Sequence, residues 1–165
     1  MVENLKLIVF SFFSSFGFGI VFRIERKNLF LAGLGGALTR LVYILLISVV
    51  DQIFIQCLLA AMFASLYAEI MAIHQKMAAS VFLYPSILPL VPGSLLYYIA
   101  GNLIASNSQE TLAYLGELVL SLGGICLGFV LISSFTYYRR IYRMGENLES
   151  QMKRWLQGQI QKKRH

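Results

Sequence analysis

The reading of this chain turns on the stretch Tyr84-Pro85-Ser86-Ile87-Leu88-Pro89-Leu90-Val91-Pro92-Gly93-Ser94. It sits inside a longer apolar run, Val81–Ile104, that holds no Lys, Arg, Asp or Glu. About 20 mostly apolar residues are what a helix needs to cross a bilayer. Each proline in the run removes a backbone donor and clashes with the carbonyl four residues back. The carbonyls of Val81, Pro85 and Leu88 are thereby freed, and Gly93 permits angles other residues avoid. In hydrocarbon an unsatisfied carbonyl is costly, so such a segment persists only against other helices or a wet cavity. It reads either as a kinked structural helix or as the broken span with which many transporters bind substrate near the midplane. Three prolines and a glycine within nine residues favour the functional break.

Four further apolar runs flank it: roughly Leu5–Phe22, Leu29–Val50, Ile53–Ile73 and Thr111–Phe135. The first is short and rich in small residues (Ser11, Ser14, Ser15, Gly17, Gly19). It is read as a retained first helix and not as a signal peptide. Glu3 weakens the basic start, and no small-x-small cleavage site follows Phe22. The composition agrees, with 58% apolar and only 13% charged residues, against about 45–50% and about 25% in a soluble domain. So few charges could not cover a water-facing surface. The expected fold is an all-α integral membrane protein of about five transmembrane helices over residues 1–136, the fourth broken by Pro/Gly. A basic amphipathic C-terminal helix is expected over residues 137–165. Short connections, such as Asp51-Gln52 between the second and third spans, make neighbouring helices antiparallel.

Charge sets the expected orientation. Residues 1–135 carry six Lys/Arg and six Asp/Glu, whereas Thr136–His165 carries eight Lys/Arg and two Glu. Arg23, Arg26 and Lys27 follow the first span, Lys76 follows the third, and the basic tail follows the fifth. With five spans these clusters share one face, which the positive-inside rule makes cytoplasmic. The N-terminus is then outside and the C-terminus in the cytoplasm. In the tail, Ile141, Met144, Leu148, Met152 and Trp155 recur at spacings of three and four. That pattern fits a helix lying on the lipid surface or one docking on a partner protein. No recognition motif for nucleic acid accompanies the charge.

Ionisable residues inside spans are costly and usually face a partner or a water-filled path. Arg40 falls at the twelfth position of the second span, Glu69 in the last turns of the third and Glu117 in the second turn of the fifth. Arg40 could hold a substrate carboxylate through two parallel hydrogen bonds, or could pair with Glu69 or Glu117 to fix packing. His74 and Lys76 end the third span, as a proton relay or as an interfacial cap. Asn102 near the end of the fourth is similarly open. Gly33, Gly35 and Gly36, and Gly123, Gly124 and Gly128, fit close helix packing. Cys57 and Cys126 lie in apolar runs, with neither a disulfide framework nor metal-ligand spacing. There is no nucleotide-binding loop, nucleophile elbow or metal pair. No cofactor is expected, and a gradient-driven carrier fits better than an enzyme or an ATP-driven pump.

Phe16-Gly17-Phe18-Gly19-Ile20-Val21-Phe22, then Leu34-Gly35-Gly36 and Arg40, resemble the opening of the threonine/serine exporter (ThrE) family. His74, Lys76, Phe82 and Pro85-Ser86-Ile87-Leu88-Pro89-Leu90-Val91-Pro92-Gly93-Ser94 are similar to its most recognisable motif. The resemblance covers about residues 10–135 and points to the short, YjjB-type branch. It implies one five-helix half of a bacterial inner-membrane exporter, working with a larger YjjP-type subunit or by self-association. The residues expected to line a substrate pathway are Arg40, Glu69, His74, Lys76, Pro85, Pro89, Pro92, Gly93, Ser94, Asn102 and Glu117. The substrates the resemblance implies are threonine and serine for the long form and succinate for the split form. Both classes carry carboxylates, which suits Arg40. A dicarboxylate would need a second cation, and this chain has none deep in a span, which leans towards the amino acids. A competing reading is a non-transporting membrane scaffold whose working part is the tail. On that reading, deleting Tyr142–His165 abolishes function and substitutions in the fourth span do not. The transport reading places the loss in the fourth span, and an activity assay on the two variants separates them.

Overall fold

The computed structural model describes residues 2–105 and 107–162, apart from the side chains at 2, 140, 143–151 and 153–162. The elements are α1 (Val2–Val21), α2 (Arg26–Ile47), α3 (Ile53–Gln75), α4 (Ser80–Ile87), a 3-10 turn (Leu88–Leu90), α5 (Gly93–Ile104) and α6 (Ser108–Lys162). No strand occurs among the described residues. α1, α2, α3 and the Ser108–Arg139 part of α6 are each long and apolar enough to cross a membrane. Ser80–Leu90 and Gly93–Ile104 qualify together as a span bent by 46°. The chain is thus an all-α membrane protein of four spans, or five with the bent pair counted as one.

The chain divides into two compact units, Met1–Ile132 and Ser133–His165. In the second, the backbone is helical to Lys162, and the Arg139 guanidinium lies over the Phe135 ring at 5.8 Å. Ile141 and Met152 are exposed. Met144, Leu148 and Trp155, on which the amphipathic reading also rests, lie outside the described side chains.

The first unit is organised by small residues. α3 carries Cys57, Ala60, Ala61, Ala64, Ala68 and Ala72 on one buried stripe. α6 lays Gly124 and Gly128 directly on it. A Cβ at Gly124 would lie 2.5 Å from the Phe54 carbonyl oxygen, and one at Gly128 2.5 Å from that of Leu58. Only glycine allows backbones this close. Gly124 meets Phe54 and Cys57, and Gly128 meets Leu58 and Ala61, so α3 and α6 run parallel and in step. α2 runs antiparallel to α3, with Gly35 against Tyr67 and Tyr43 packed on the cluster that holds Cys57. α4 buries Phe82 against Ala68 and Ala72. On α5 only Ile99 is buried, and Tyr98 stacks on Tyr114 of α6 at 5.5 Å.

α1 and α3 end alike. Arg23 (φ 56°) and Lys76 (φ 53°) are left-handed. The next N–H then reaches the carbonyl five residues back, Ile24 to Gly19 and Met77 to Ala72, both at 3.0 Å. Glycine usually takes this position. The positive side chains found there instead complement the negative end of each helix.

The seam predicts a sharp contrast between glycines. Gly124→Ala should lower the unfolding temperature in detergent, since overpacking costs about 1–3 kcal/mol. Gly116, with nothing within 4 Å of a Cβ, should tolerate alanine or gain up to about 1 kcal/mol from it. Equal shifts in the two variants would refute the α3–α6 seam.

Candidate functional site

The break is an exercise in satisfying carbonyls. α4 runs through Pro85 to Ile87, tightens into the 3-10 turn and unwinds at Val91 (ψ 121°) and Pro92 (ψ 65°) before α5 restarts at Gly93. Residue 89 has no N–H, so the Pro85 carbonyl lacks its helical donor. Ser15 of α1, fully buried, donates its hydroxyl to that oxygen at 2.7 Å. Pro92 likewise frees the Leu88 carbonyl, which the Val91 N–H meets at 3.1 Å. The Pro89 carbonyl loses its donor for another reason: the Gly93 N–H turns to Val91 at 2.8 Å. Into that gap comes Arg40 of α2, whose Nη1 donates to the Pro89 oxygen at 3.4 Å.

Arg40 is under-used. It is half-buried, its guanidinium sits 5.4 Å from the centre of the Tyr43 ring, and its Nε is buried without a partner. A guanidinium has five N–H donors, and here one makes a single long bond. The ion pairs among the described residues are Lys6–Glu3 and Lys27–Glu25, so Arg40 is paired with neither Glu69 nor Glu117. The neighbouring Thr39 is fully buried, with its hydroxyl unpartnered.

Helix register separates the other ionisable residues from Arg40. Tyr43, one turn from Arg40, packs on a cluster of Cys57, Ala60, Ala61 and Leu90, which fixes the depth of the break. Glu69 lies two turns further along α3, roughly 12 Å away along the axis, half-buried with Oε2 unpartnered. Seven residues before Gly124, Glu117 is level with the end of α2 and its link to α3, and it is exposed. That is roughly 15 Å from Arg40 along the axis, at the edge of the apolar layer. His74 and Lys76 are exposed at the end of α3, the His74 Nδ1 lying 3.1 Å from the Ile70 carbonyl. Asn102 is half-buried near the end of α5. The structure thus gathers Arg40, Pro85 and Pro89, with Pro92 in the unwound link beyond and Gly93 and Ser94 opening α5. It does not bring Glu69, His74, Lys76, Asn102 or Glu117 to them.

Sequence reasoning missed Ser15 and the use made of Gly35 and Gly36. A Cβ at Gly36 would collide with the Ser15 hydroxyl and lie 3.3 Å from the Pro85 oxygen. One at Gly35 would strike the Ser86 hydroxyl, and Tyr67 at 2.6 Å. A signal was present: a proline at 89 demands a donor for residue 85, and the first span is rich in serine. A cavity of about 200 Å³ lined by Phe22, Ile24, Ser80, Val81 and Tyr84 lies at the start of α4 and does not include Arg40. No group of three or more His, Cys, Asp or Glu placed to hold a metal occurs among the described residues.

Residues 7–135 match the family model described as Threonine/Serine exporter, ThrE. No curated protein and no solved structure matches the chain. The matched region opens in α1 and closes in α6, and so contains Ser15, Arg40 and the whole of the break. This membrane-spanning chain therefore belongs to the threonine/serine exporter (ThrE) family of transporters.

Proposed function

We propose that the chain is a membrane subunit of a secondary exporter moving small carboxylate-bearing metabolites, first of all threonine and serine, across the bacterial inner membrane. The observation that carries this reading is Arg40: a half-buried guanidinium at the depth of the break, held by one long bond to a carbonyl and, among the described residues, by no carboxylate. Charge-assisted bonds to a carboxylate are shorter and roughly twice as strong as neutral ones, and the guanidinium fork can make two in parallel. A substrate carboxylate therefore displaces the Pro89 carbonyl from Arg40. The released carbonyl can then accept from the ammonium of an amino acid. α5 starts beside it with no side-chain cap, adding the positive end of a helix. Glu69, His74 and Lys76 lie on the pathway towards one face, and Asn102 and Glu117 towards the other.

A partner follows from the solvent. Val91, Gly93 and Ser94 are exposed and adjoin Leu90, which packs among Cys57, Ala60 and Ala61, one to two turns inside the start of α3. Irregular backbone at that depth is tolerated only against protein or water. A second five-helix half, either the larger YjjP-type subunit or another copy of this chain, covers the break. The charge pattern supports an N-terminus outside and a C-terminus in the cytoplasm.

Efflux from cells preloaded with serine, threonine or succinate tests the reading. The arms are the chain alone, the chain with its large subunit, and that pair carrying Arg40→Ala or Arg40→Lys. Efflux should come from the intact pair. Arg40→Ala should reduce it about tenfold or more, the scale of one hydrogen bond to a charged group. Arg40→Lys should recover part of it. Succinate efflux would identify a dicarboxylate exporter whose second cation comes from the partner. Unchanged efflux by correctly inserted Arg40→Ala would confine Arg40 to packing.

A further inference from the structure

Ser15 differs from every other buried serine described in the spans. Ser65 bonds the Ala61 carbonyl, Ser86 that of Phe82 and Ser121 that of Leu118, each within its own helix. Such back-bonding is the ordinary resort of a serine in a helix. Ser15 instead reaches across to the Pro85 carbonyl, 70 residues away in the chain. The oxygen it meets is the one stripped of its donor by Pro89.

We propose that Ser15 is a positioning residue of the transport site, standing in for the N–H that Pro89 lacks and so holding the end of α4 where the Pro89 carbonyl meets Arg40. This rests on the reading of Arg40 as the substrate ligand. Three helices meet at the bond. α1 supplies the hydroxyl, α4 the carbonyl, and α2 the space, since Gly36 has no side chain to push them apart. α2 and α4 rise together: Gly36 lies beside the Pro85 oxygen, and Arg40, four residues on, beside the Pro89 oxygen, also four residues on. Both freed carbonyls thus share one face of the broken helix, a turn apart. A rotation or slide of α4 that moves one moves the other. Without the Ser15 hydroxyl, the Pro85 carbonyl has no donor in a buried apolar layer. The under-used donors one turn along α2 are then the Thr39 hydroxyl and Arg40. A shift of α4 towards either moves the Pro89 carbonyl off the position at which Arg40 meets substrate.

The test uses the intact pair in membranes for efflux and the purified full chain in detergent for unfolding. Ser15→Ala should raise the half-saturating substrate concentration about fivefold, with the maximal rate per inserted protein changed less than about twofold. Ser15→Cys, similar in size with a weaker donor, should fall between the two. Pro89→Ala supplies an N–H four residues after Pro85. Ser15→Ala should therefore lower the unfolding temperature in the native background and have little effect in the Pro89→Ala background. That unfolding cycle needs no substrate. Additive shifts in it would show that the serine does not replace the missing N–H, and would overturn the inference. So would a Ser15→Ala protein that unfolds earlier yet keeps the native half-saturation, since the role would then be structural alone. The two readings fail apart. An unchanged half-saturation in Arg40→Ala overturns the ligand assignment. A large Arg40→Ala effect with none in Ser15→Ala overturns only the positioning role.

Discussion

Hydrocarbon offers a peptide group no hydrogen bond, so every backbone donor and acceptor in the spans needs a partner within the protein. Continuous helices meet this demand automatically. A chain that places three prolines in one span has to meet it by other means, and much of the first unit is the record of those means. One carbonyl is met by a hydroxyl from α1, one by a tightened turn, and one by a guanidinium from α2. The glycines of α2 stand where they do because α1 and α4 must come close enough for the first of these bonds.

The same demand explains why the site is where it is. A guanidinium in a span is expensive unless it is used. Here its use is divided between a weak bond to a main-chain oxygen, a tyrosine face and a buried Nε that has no partner. Incomplete satisfaction of a cation at the one point where the backbone is also irregular is the arrangement expected of a group that serves something not permanently bound. Membership of an exporter family makes a transported small molecule the natural candidate, and Arg40 beside the break is where the proposed reading holds it.

Much of this was legible from residue order. Apolar runs of membrane length gave the spans, and prolines at 85, 89 and 92 located the break, because both signals are local. What was not legible depends on register between helices. Glu117 counts as lying within the span, in its second turn, when measured from the start of its apolar run. The Gly124 and Gly128 contacts place it level with the α2–α3 link instead, because α6 begins well before α3 does. Arg40 could have paired with either acid on composition alone. The spacing of depths along α3 and α6 decides that it pairs with neither. Ser15 was read as one small residue among several, since nothing along α1 shows that a carbonyl 70 residues away will need it.

The α3–α6 seam has a genetic consequence. At Gly124 and Gly128 the nearest obstacle to any side chain is a main-chain oxygen, of Phe54 and of Leu58. No substitution at Phe54 or Leu58 removes that oxygen. Compensating changes, which rescue so many overpacked cores by trading volume between neighbours, have nothing to trade at these two contacts. A variant at either glycine can be suppressed only by moving the helices apart as bodies. These positions should therefore lack pairwise suppressors and be constrained independently of the side chains around them.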